Sequence, residues 1–313
     1  MLLRSMLYFP ANSARMAVKA ATLPVDAAIL DLEDAVSIDD KETARITARD
    51  FVRLIKRRGI HTFVRVNSLS TGLTAEDLKS TVVRELDGIV LAKTETGTDV
   101  AELCEMLTEA EKHSGVGHRS IKLIPLIESA KGVLNSFQIA SGGDRVVAVA
   151  FGAGDYYRDL GRDISSISKD EIELLYPRST VVNTSRAAGV QAIDTPFLGS
   201  LTDKEALLKE TKLAAQLGFK GKQCIHPSQI EPTNEMFSPS QGEVDRAGRV
   251  VKAFEEAEAR GAGVISFEGK MVDRMSYLQA KEALTFAQMI EEKRKTSGVD
   301  SSYVRLSEVF SYP

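Results

Sequence analysis

Short runs of apolar residues alternate with longer amphipathic stretches from the start of the chain to about Ile225. The run that begins at Val146 is the clearest, because small and branched apolar residues follow one another there without a polar interruption. A parallel strand that is covered on both faces has this composition. We predict eight such strands, over residues 5–9, 25–32, 61–66, 88–93, 121–127, from 146 onward, 191–194 and 222–225.

The amphipathic stretches between these runs predict the helices. Four of them follow the pattern Ser, Thr or Asp, then two residues, then Glu, which is typical of a helix start in which the two side chains cap backbone amides. The pattern begins at Asp39, Ser168, Thr202 and Ser240. Pro177 must interrupt or restart the helical region after Ser168, because proline cannot donate a backbone hydrogen bond. Further helices are predicted after Pro10 and over residues 74–86 and 98–112.

Eight strands that each lead into a helix are typical of a (β/α)8 TIM barrel, an α/β fold of about 250 residues. The barrel closes near Ile225, so we predict a barrel domain over residues 1–235, with the catalytic site in it. Residues 236–313 do not continue the alternation and predict a helical appendage. Its expected parts are a helix over about 240–260, a glycine-rich break, a strand-like stretch at 264–267 and a last helix after Asp273.

Composition excludes some classes of partner. The chain of 313 residues has 40 Lys and Arg against 44 Asp and Glu, a net charge of −4, which gives no reason to expect nucleic acid. Its two cysteines are too few for a disulfide framework and lack the spacing of a zinc site. No stretch has eighteen uninterrupted apolar residues, and no export signal is recognised. We therefore expect a cytoplasmic protein with no membrane partner.

Charged residues gather where the predicted strands end. On a barrel, the carboxyl ends of the strands form the face that carries active sites. We therefore predict one polar ring around one site. Two structural alternatives are a ring of salt bridges that only closes the barrel mouth and, for the last residue of the ring, a helix cap. The ring consists of Asp31, Glu33, Arg65, Lys93, Glu128 and Asp155.

Glu128 and Asp155 follow the fifth and sixth strands, which lie about 5 Å apart as neighbours in a sheet. Their carboxylates could share one Mg²⁺, a cation that is commonly held by one or two carboxylates and completes its shell with water and substrate. Arg65 would lie across from the metal, where its planar fork suits a substrate carboxylate or a developing oxyanion. The sequence therefore predicts a magnesium site beside an arginine.

The chain resembles the HpcH/HpaI aldolase and citrate lyase β-subunit family, and within it the branch that includes malyl-CoA and citramalyl-CoA lyases. Each matching motif is weak by itself, but their order and spacing together are specific. The motifs begin at Ser5 (SMLYFPA), Leu30 (LDLEDAV), Val64 (VRVN), Pro125 (PLIES), Phe151 (FGAGD), Gln191 (QAID), Ile225 (IHPSQ) and Gly269 (GKMVD).

The resemblance implies a barrel enzyme that binds Mg²⁺ through Glu128 and Asp155 and uses Arg65. The implied reaction is Claisen-type cleavage or condensation of a 3-hydroxy-acyl thioester, with acetyl-CoA, or an acetyl carrier protein, and a 2-oxo acid as products. It also implies that Asp273 acts as the catalytic acid or base, although the sequence around this residue suits a helix cap equally well.

Coenzyme A carries phosphates, which need cations. The resemblance places the nucleotide near residues 9–19, so Phe9, Pro10, Arg15 and Lys19 are the expected contacts. Arg15 and Lys19 have helical spacing on one face, and a solvated helix surface would explain them as well. We expect Asp31, Glu33 and Lys93 to support the metal and Arg65.

Several functions remain open within this resemblance. The first is a CoA-dependent lyase that acts alone on citramalyl-CoA or malyl-CoA. The others are the β subunit of a citrate lyase complex, a malyl-CoA thioesterase and an aldolase for free 2-oxo acids. Gly154 stands where relatives frequently have an acidic residue, which leaves the 2-oxo acid undetermined. The resemblance also implies a homo-oligomer, a trimer or a hexamer, in which residues 236–313 act as a lid and oligomerisation segment.

Overall fold

The computed structural model describes residues 1–168 and 170–296. Eight parallel strands close into a barrel in chain order, and the last strand pairs with the first. This confirms the predicted (β/α)8 barrel. The strands are β1 Ser5–Pro10, β2 Ala27–Asp31, β3 His61–Val66, β4 Gly88–Leu91, β5 Lys122–Ile127, β6 Ala148–Phe151, β7 Gln191–Asp194 and β8 Gly221–Cys224.

The chain divides into two compact units, one over Leu3–Met236 and one that begins at Phe237. The helices of the first unit are α1 Ala14–Ala20, α2 Lys41–Lys56, α3 Thr74–Thr81, α4 Gly97–Ser114, α5 Ala130–Leu134, α6 Ser136–Ala140, α7 Ala153–Asp159, α8 Leu175–Ala187, α9 Lys204–Leu217 and α10 Ile230–Met236. Those of the second are α11 Gln241–Glu258 and α12 Arg274–Thr296. No helix in the described residues is long and apolar enough to span a membrane.

The barrel interior is filled by apolar side chains from alternate strand positions. Met6, Ile29, Phe63 and Ile124 are almost completely buried in one cluster there. Gly221 is required by the close contact between β8 and the start of the chain, since a Cβ at this position would lie 1.8 Å from the carbonyl oxygen of Leu3. Because side chains alternate between the two faces of a strand, the next inward residues toward the carboxyl ends lie above this core.

Three of the four predicted helix caps, at Asp39, Ser168 and Thr202, are wrong. A 3-10 turn over Ile38–Asp40 precedes α2, and no side chain caps its first turn, so Asp39 is not the cap. Helix α9 is capped by Asp203, which accepts a hydrogen bond of 3.0 Å from the amide of Ala206, and not by Thr202. The predicted capping box at Ser240 is confirmed at the start of α11.

The region after Ser168 also differs from the prediction. Ser168 donates its amide and hydroxyl to the carboxylate of Glu173, and a short 3-10 helix over Ile172–Leu174 precedes α8, so Ser168 does not cap this helix. Pro177 lies in the first turn of α8, where its missing N–H costs no intrahelical hydrogen bond. Proline therefore restarts the helical region, and α8 continues beyond it to Ala187.

The second unit has its own small core. Two short strands, β9 Ile265–Phe267 and β10 Lys270–Val272, form an antiparallel hairpin. The rings of Phe254 and Tyr277 stack there with centroids 4.9 Å apart. The hairpin turn has a positive φ at both central residues, Glu268 and Gly269, as type I′ turns require. Residues 297–313 of the predicted appendage lie outside the described residues.

Candidate active site

Four polar side chains occupy the inward positions just above the apolar core. They are Tyr8 on β1, Asp31 on β2, Arg65 on β3 and Glu128 directly after β5. Each lies two residues after an inward apolar residue, as the two-residue period of a strand requires. All four line a cavity of about 660 Å³. The predicted polar ring at the carboxyl ends of the strands therefore has a cavity within it.

Arg65 is fixed by a fork of hydrogen bonds. Its Nε and Nη2 donate to the two carboxylate oxygens of Asp31, at 2.7 and 2.6 Å, and its Nη1 lies 3.0 Å from Oε2 of Glu33. The guanidinium also lies 5.1 Å from the ring centroid of Tyr8. Burial opposes the positive charge, but the bonds to Asp31 outweigh it and raise the pKa of Arg65. Arg65 is therefore an oriented, permanent cation.

Oε2 of Glu33 and Oε2 of Glu128 are both buried without a hydrogen bond, but Glu33 has Arg65 as an ion-pair partner and Glu128 has no ion pair within the described residues. Glu128 is only 5% exposed. Burial raises the pKa of this carboxyl well above its usual value, and the nearby Glu33 and Asp155 raise it further against the opposing effect of Arg65. A Cβ at Gly152 would lie 2.8 Å from Cγ of Glu128, so glycine is required where Glu128 packs.

Asp155 lies in the first turn of α7, directly after β6. It does not cap the helix, because Gly152 is the N-cap, so the helix-cap alternative is wrong. Its carboxylate lies 2.5 Å from Nη1 of Arg158 and 3.7 Å from Nζ of Lys93. The side chain is 18% exposed and lines the cavity. Asp155 is thus close enough to Glu128 to affect its protonation and remains open to the cavity.

Lys93 connects the acids on one side of the ring. Its backbone has a φ of 52°, in the left-handed region that non-glycine residues rarely adopt. Its ammonium group bonds the carboxylate of Glu33 and lies 3.5 Å from Asp34. Burial opposes its charge, but Glu33 outweighs this effect and raises the pKa of Lys93. The strained backbone therefore places a cation between Glu33 and Asp155.

The arrangement can be tested for its fit to a magnesium ion. Salt bridges do form a ring, as the structural alternative proposed, but they leave Oε2 of Glu128 unsatisfied beside a cavity. A buried carboxylate oxygen without a donor is costly, and a cation would satisfy it. No group of three or more His, Cys, Asp or Glu side chains within residues 1–168 and 170–296 could hold a metal. Two carboxylates plus substrate and water suit Mg²⁺, so the residues fit this ion.

The predicted coenzyme A contacts fall into two groups. Phe9 and Pro10 line the cavity. Arg15 and Lys19 are exposed on α1 and are not among the residues that line the cavity. Exposure leaves both cations free to contact a ligand that extends out of the cavity, and it equally fits a solvated helix surface.

Asp273 lies in the second unit, directly before α12. Its Oδ1 accepts hydrogen bonds of 2.9 Å from both the amide and the hydroxyl of Ser276, so it caps this helix as the alternative proposed. The bonds from Ser276 lower the pKa of the Asp273 carboxyl. The carboxylate therefore stays ionised at neutral pH, and its second oxygen is not used by these two bonds.

Several residues that line the cavity were not predicted from the sequence, and three of them, Tyr8, Arg158 and Arg162, bear on its chemistry. Tyr8 has a buried hydroxyl with no hydrogen-bond partner, and burial raises its pKa far above the usual value. The inward position of Met6 on the same strand is the signal that could have identified it. Arg158 and Arg162 also line the cavity. Both follow Asp155 at the end of a short helix, where no sequence pattern indicated which way they face.

The fold and this site define a barrel enzyme that works at the carboxyl ends of its strands. The chain belongs to the HpcH/HpaI aldolase/citrate lyase family, whose model matches residues 4–227. It is therefore a carbon–carbon lyase, as the resemblance implied.

Individual relatives agree with this membership. Citrate lyase subunit beta of Leuconostoc mesenteroides subsp. cremoris is 38% identical over 91% of this chain and 93% of that protein. The mitochondrial citramalyl-CoA lyase of Homo sapiens is 32% identical over 93% of this chain and 87% of that protein. The crystal structure of CitE from Mycobacterium tuberculosis in complex with magnesium, acetoacetate and coenzyme A is 30% identical, with a TM-score of 0.70 over 91% of this chain and 98% of that one.

Proposed function

We propose that the protein cleaves, or forms by condensation, a 3-hydroxy-acyl thioester of coenzyme A in a magnesium-dependent reaction. The products of cleavage are acetyl-CoA and a 2-oxo acid. The observation that supports this most directly is the buried, unpartnered Oε2 of Glu128 beside Asp155 and Arg65 in one cavity. The relatives named citrate lyase subunit beta and citramalyl-CoA lyase, and the CitE complex with magnesium and coenzyme A, agree with it.

Glu128 and Asp155 are the residues that would hold the metal. Mg²⁺ at this position would supply Lewis-acid polarisation of the substrate oxygen and a fixed template for the 2-oxo acid. Magnesium binding would also favour the ionised form of Glu128, against the burial that raises its pKa. A bound Mg²⁺ would therefore offset the unfavourable repulsion between the two carboxylates.

Arg65 stabilises the charge that forms during cleavage. The bond between the hydroxyl carbon and the thioester α-carbon breaks, and its electron pair passes to the thioester fragment as an enolate. The hydroxyl oxygen loses its proton to a base and becomes the ketone of the 2-oxo acid, and the enolate takes up a proton to give the acetyl thioester. Arg65 has five N–H groups, of which Asp31 accepts two, and its Nη1 also forms an ion pair with Glu33. The other N–H groups are available to the substrate.

We assign the proton transfer to Asp273, with residues 236–313 as a lid and oligomerisation segment. The lowered pKa of Asp273 keeps it in the ionised form that a base needs. We further propose that coenzyme A is contacted by Phe9, Pro10, Arg15 and Lys19. The protein is proposed to be a cytoplasmic homo-oligomer, a trimer or a hexamer. In this oligomer Asp273 would act at the barrel of a neighbouring subunit. Mixing Asp273→Asn with Arg65→Ala subunits should then restore part of the activity. Verified subunit exchange without recovery would contradict the assignment between subunits.

A citrate lyase β subunit is the second candidate, favoured by the 38% identity to a protein of that name. In this case the thioester is carried by an acyl carrier protein and not by free coenzyme A. Assaying citramalyl-CoA, malyl-CoA, citryl-CoA and a citryl carrier protein side by side would separate the two. The CoA-dependent lyase predicts turnover of a CoA thioester by the chain alone, with loss of activity in EDTA.

Product analysis in the same assay separates the remaining alternatives. A thioesterase would release free coenzyme A with the hydroxy acid intact, whereas a lyase releases acetyl-CoA and a 2-oxo acid. An aldolase would act on free acids without a thioester. Release of free coenzyme A alone would contradict the proposed function.

A further inference from the structure

One wall of the cavity carries cations that the proposed reaction does not use. Helix α7 ends at Asp159, and Gly161, with a φ of 69°, turns the chain back. The amide of Arg162 then bonds the carbonyl of Tyr157 at 2.9 Å. This turn places Arg162 on the cavity beside Arg158 of the preceding helix. The two guanidinium groups therefore lie on the side of the mouth that α7 forms, apart from Arg65 on β3.

Arg162 is not neutralised by an acid. Its guanidinium lies 5.5 Å from the ring centroid of Tyr157, and within residues 1–168 and 170–296 it forms no salt bridge. Asp163 lines the same wall, but its Oδ1 accepts bonds of 2.7 and 2.5 Å from the amide and hydroxyl of Ser165. Asp163 stays ionised on this wall but forms no ion pair with Arg162, and a guanidinium that lines a cavity outside any ion pair can bind an anionic ligand there.

Arg158 is bonded to Asp155, and this bond would weaken when a metal is bound. Its Nη1 lies 2.5 Å from Oδ1 of Asp155, and its side chain is 80% exposed. In the proposed reaction Asp155 holds Mg²⁺, so its carboxylate shares its charge with the ion and attracts Arg158 less. Both guanidinium groups would then be available to an anion in the cavity.

Besides these charged residues, the wall includes small and apolar residues. Gly154 lies in the first turn of α7 and has no side chain to occupy the cavity. A Cβ at Gly154 would lie 3.5 Å from Cδ1 of Ile164 and 4.0 Å from Cδ1 of Leu198, which is ordinary van der Waals contact. A side chain is therefore tolerated at this position. Its absence leaves room next to the arginines and adds no negative charge.

We propose that Arg158 and Arg162, with the space left by Gly154, form a subsite for a second carboxylate on the 2-oxo acid half of the substrate. This inference rests on the proposed function and specifies its substrate class. The metal and Arg65 would bind the α-carboxylate, and the α7 wall would bind a second carboxylate one methylene away. The preferred substrate is then a thioester that yields a dicarboxylic 2-oxo acid, such as citryl-CoA, over one that yields pyruvate, such as citramalyl-CoA.

The test compares kcat/KM for citryl-CoA and citramalyl-CoA in the wild type and in Arg162→Gln. A charge-assisted hydrogen bond contributes about 1.5–3 kcal/mol, which corresponds to roughly a tenfold to hundredfold change in rate. We expect Arg162→Gln to lower kcat/KM for citryl-CoA by this factor and to change kcat/KM for citramalyl-CoA much less. Arg162→Lys, which keeps the charge, should recover part of the citryl-CoA activity.

Gly154→Glu is the complementary variant, with Gly154→Gln as its matched control of the same size. The added carboxylate should pair with the arginines and lower kcat/KM for citryl-CoA more than for citramalyl-CoA. Gly154→Gln should lower kcat/KM for both substrates by similar factors. Circular dichroism and melting temperature establish that each variant is folded.

Failure of the inference and failure of the proposed function give different results. If the wild type cleaves citramalyl-CoA but Arg162→Gln lowers kcat/KM equally for both substrates, the subsite is refuted and the lyase reaction stands. If the wild type with Mg²⁺ cleaves neither thioester, the proposed function is refuted and the subsite with it. Selective loss of citryl-CoA activity in both Arg162→Gln and Gly154→Glu supports the subsite.

Discussion

Two clusters of buried charges on the barrel differ in their surroundings, and one of them lines the cavity at the carboxyl ends of the strands. We name them the mouth cluster, which comprises Asp31, Glu33, Arg65, Lys93, Glu128 and Asp155, and the wall cluster, which comprises Glu171, Arg178, Asp194, Glu210 and Lys222. The wall cluster joins β7 and β8 to α8 and α9 on the outside of the barrel. Both clusters contain almost fully buried acids, but only the wall cluster has almost fully buried cations, since the side chains of Arg65 and Lys93 are 14% and 41% exposed.

The wall cluster satisfies its central acid completely. Asp194 accepts bonds of 3.0 and 2.8 Å from Arg178 and one of 2.8 Å from Lys222. Lys222 also bonds Glu210, and Arg178 bonds Glu171. Burial raises the pKa of Glu210 to about 8, so this acid is mostly protonated at neutral pH and the remaining charges balance.

The mouth cluster leaves Oε2 of Glu128 without a donor beside open space. Burial of charge is common to both clusters, so burial alone does not identify a functional site. An unsatisfied buried oxygen next to a cavity does distinguish the mouth, because a ligand can supply what the protein does not. We infer that the wall cluster is structural and that the mouth cluster is functional.

The largest effect is expected at Glu128. Glu128→Gln removes the carboxylate that would hold the metal, and a catalytic metal contributes several kcal/mol, so kcat/KM should fall about a thousandfold or more. The melting temperature without Mg²⁺ should stay equal or rise, because an uncompensated buried acid is removed. Steady-state kinetics and thermal unfolding check both statements. A large fall in the melting temperature would mean that Glu128 is structural.

Asp194 in the wall cluster should show the opposite pattern. Asp194→Asn leaves Arg178 and Lys222 buried without their shared carboxylate, and breaking such a buried pair costs about 3–5 kcal/mol. Urea unfolding should show this loss, while the folded fraction keeps its kcat. Asp144→Asn is a control, because Asp144 pairs with Arg119 at an exposed site, where a salt bridge contributes at most about 1 kcal/mol. Equal losses in both variants would contradict the comparison.

Arg65→Lys should lower kcat about a hundredfold, in line with the loss of an oxyanion stabiliser. Lysine keeps the charge but not the planar fork that bonds Asp31, so the substitution is not conservative here. Arg53→Lys, on an exposed part of α2, is the matched control and should keep its rate. Near-normal turnover in Arg65→Lys would show that Arg65 serves only structure.

The smallest effect concerns pH. Glu210 has a folded pKa of about 8 against an ordinary value of 4.5, so the folded state binds a proton that the unfolded state releases between these values. Its contribution to the free energy of unfolding is therefore largest below pH 4.5 and is lost as the pH rises toward 8. Glu210→Gln, which cannot ionise, should have a flatter stability curve than the wild type in this window. Parallel melting curves from pH 5 to 8 would contradict this assignment.

The fold was predictable because its signals are local. Apolar runs at each strand and the count of eight were enough to predict the barrel, which the structure confirms. Helix starts were less predictable, since Asp203 and Thr202 are both good capping residues and only the backbone conformation decides between them.

The site was predictable only in part. Position at a strand end made Glu128 and Asp155 candidates, but sequence does not reveal which acid is left without a donor. Asp194 also ends a strand, and it faces outward because its neighbour Ile193 fills the barrel interior. The direction of Arg162 depends on the turn at Gly161, which no periodic pattern reports.

The most direct test of the account is a calorimetric titration of the wild type and of Glu128→Gln with Mg²⁺ at neutral pH. We expect one Mg²⁺ to bind per wild-type chain and binding to be weakened at least about tenfold in the variant, since one of two carboxylate ligands is lost. The titration does not depend on knowing the substrate. Unchanged Mg²⁺ affinity in a folded Glu128→Gln variant would contradict the claim that the unpartnered oxygen at the barrel mouth is a metal ligand.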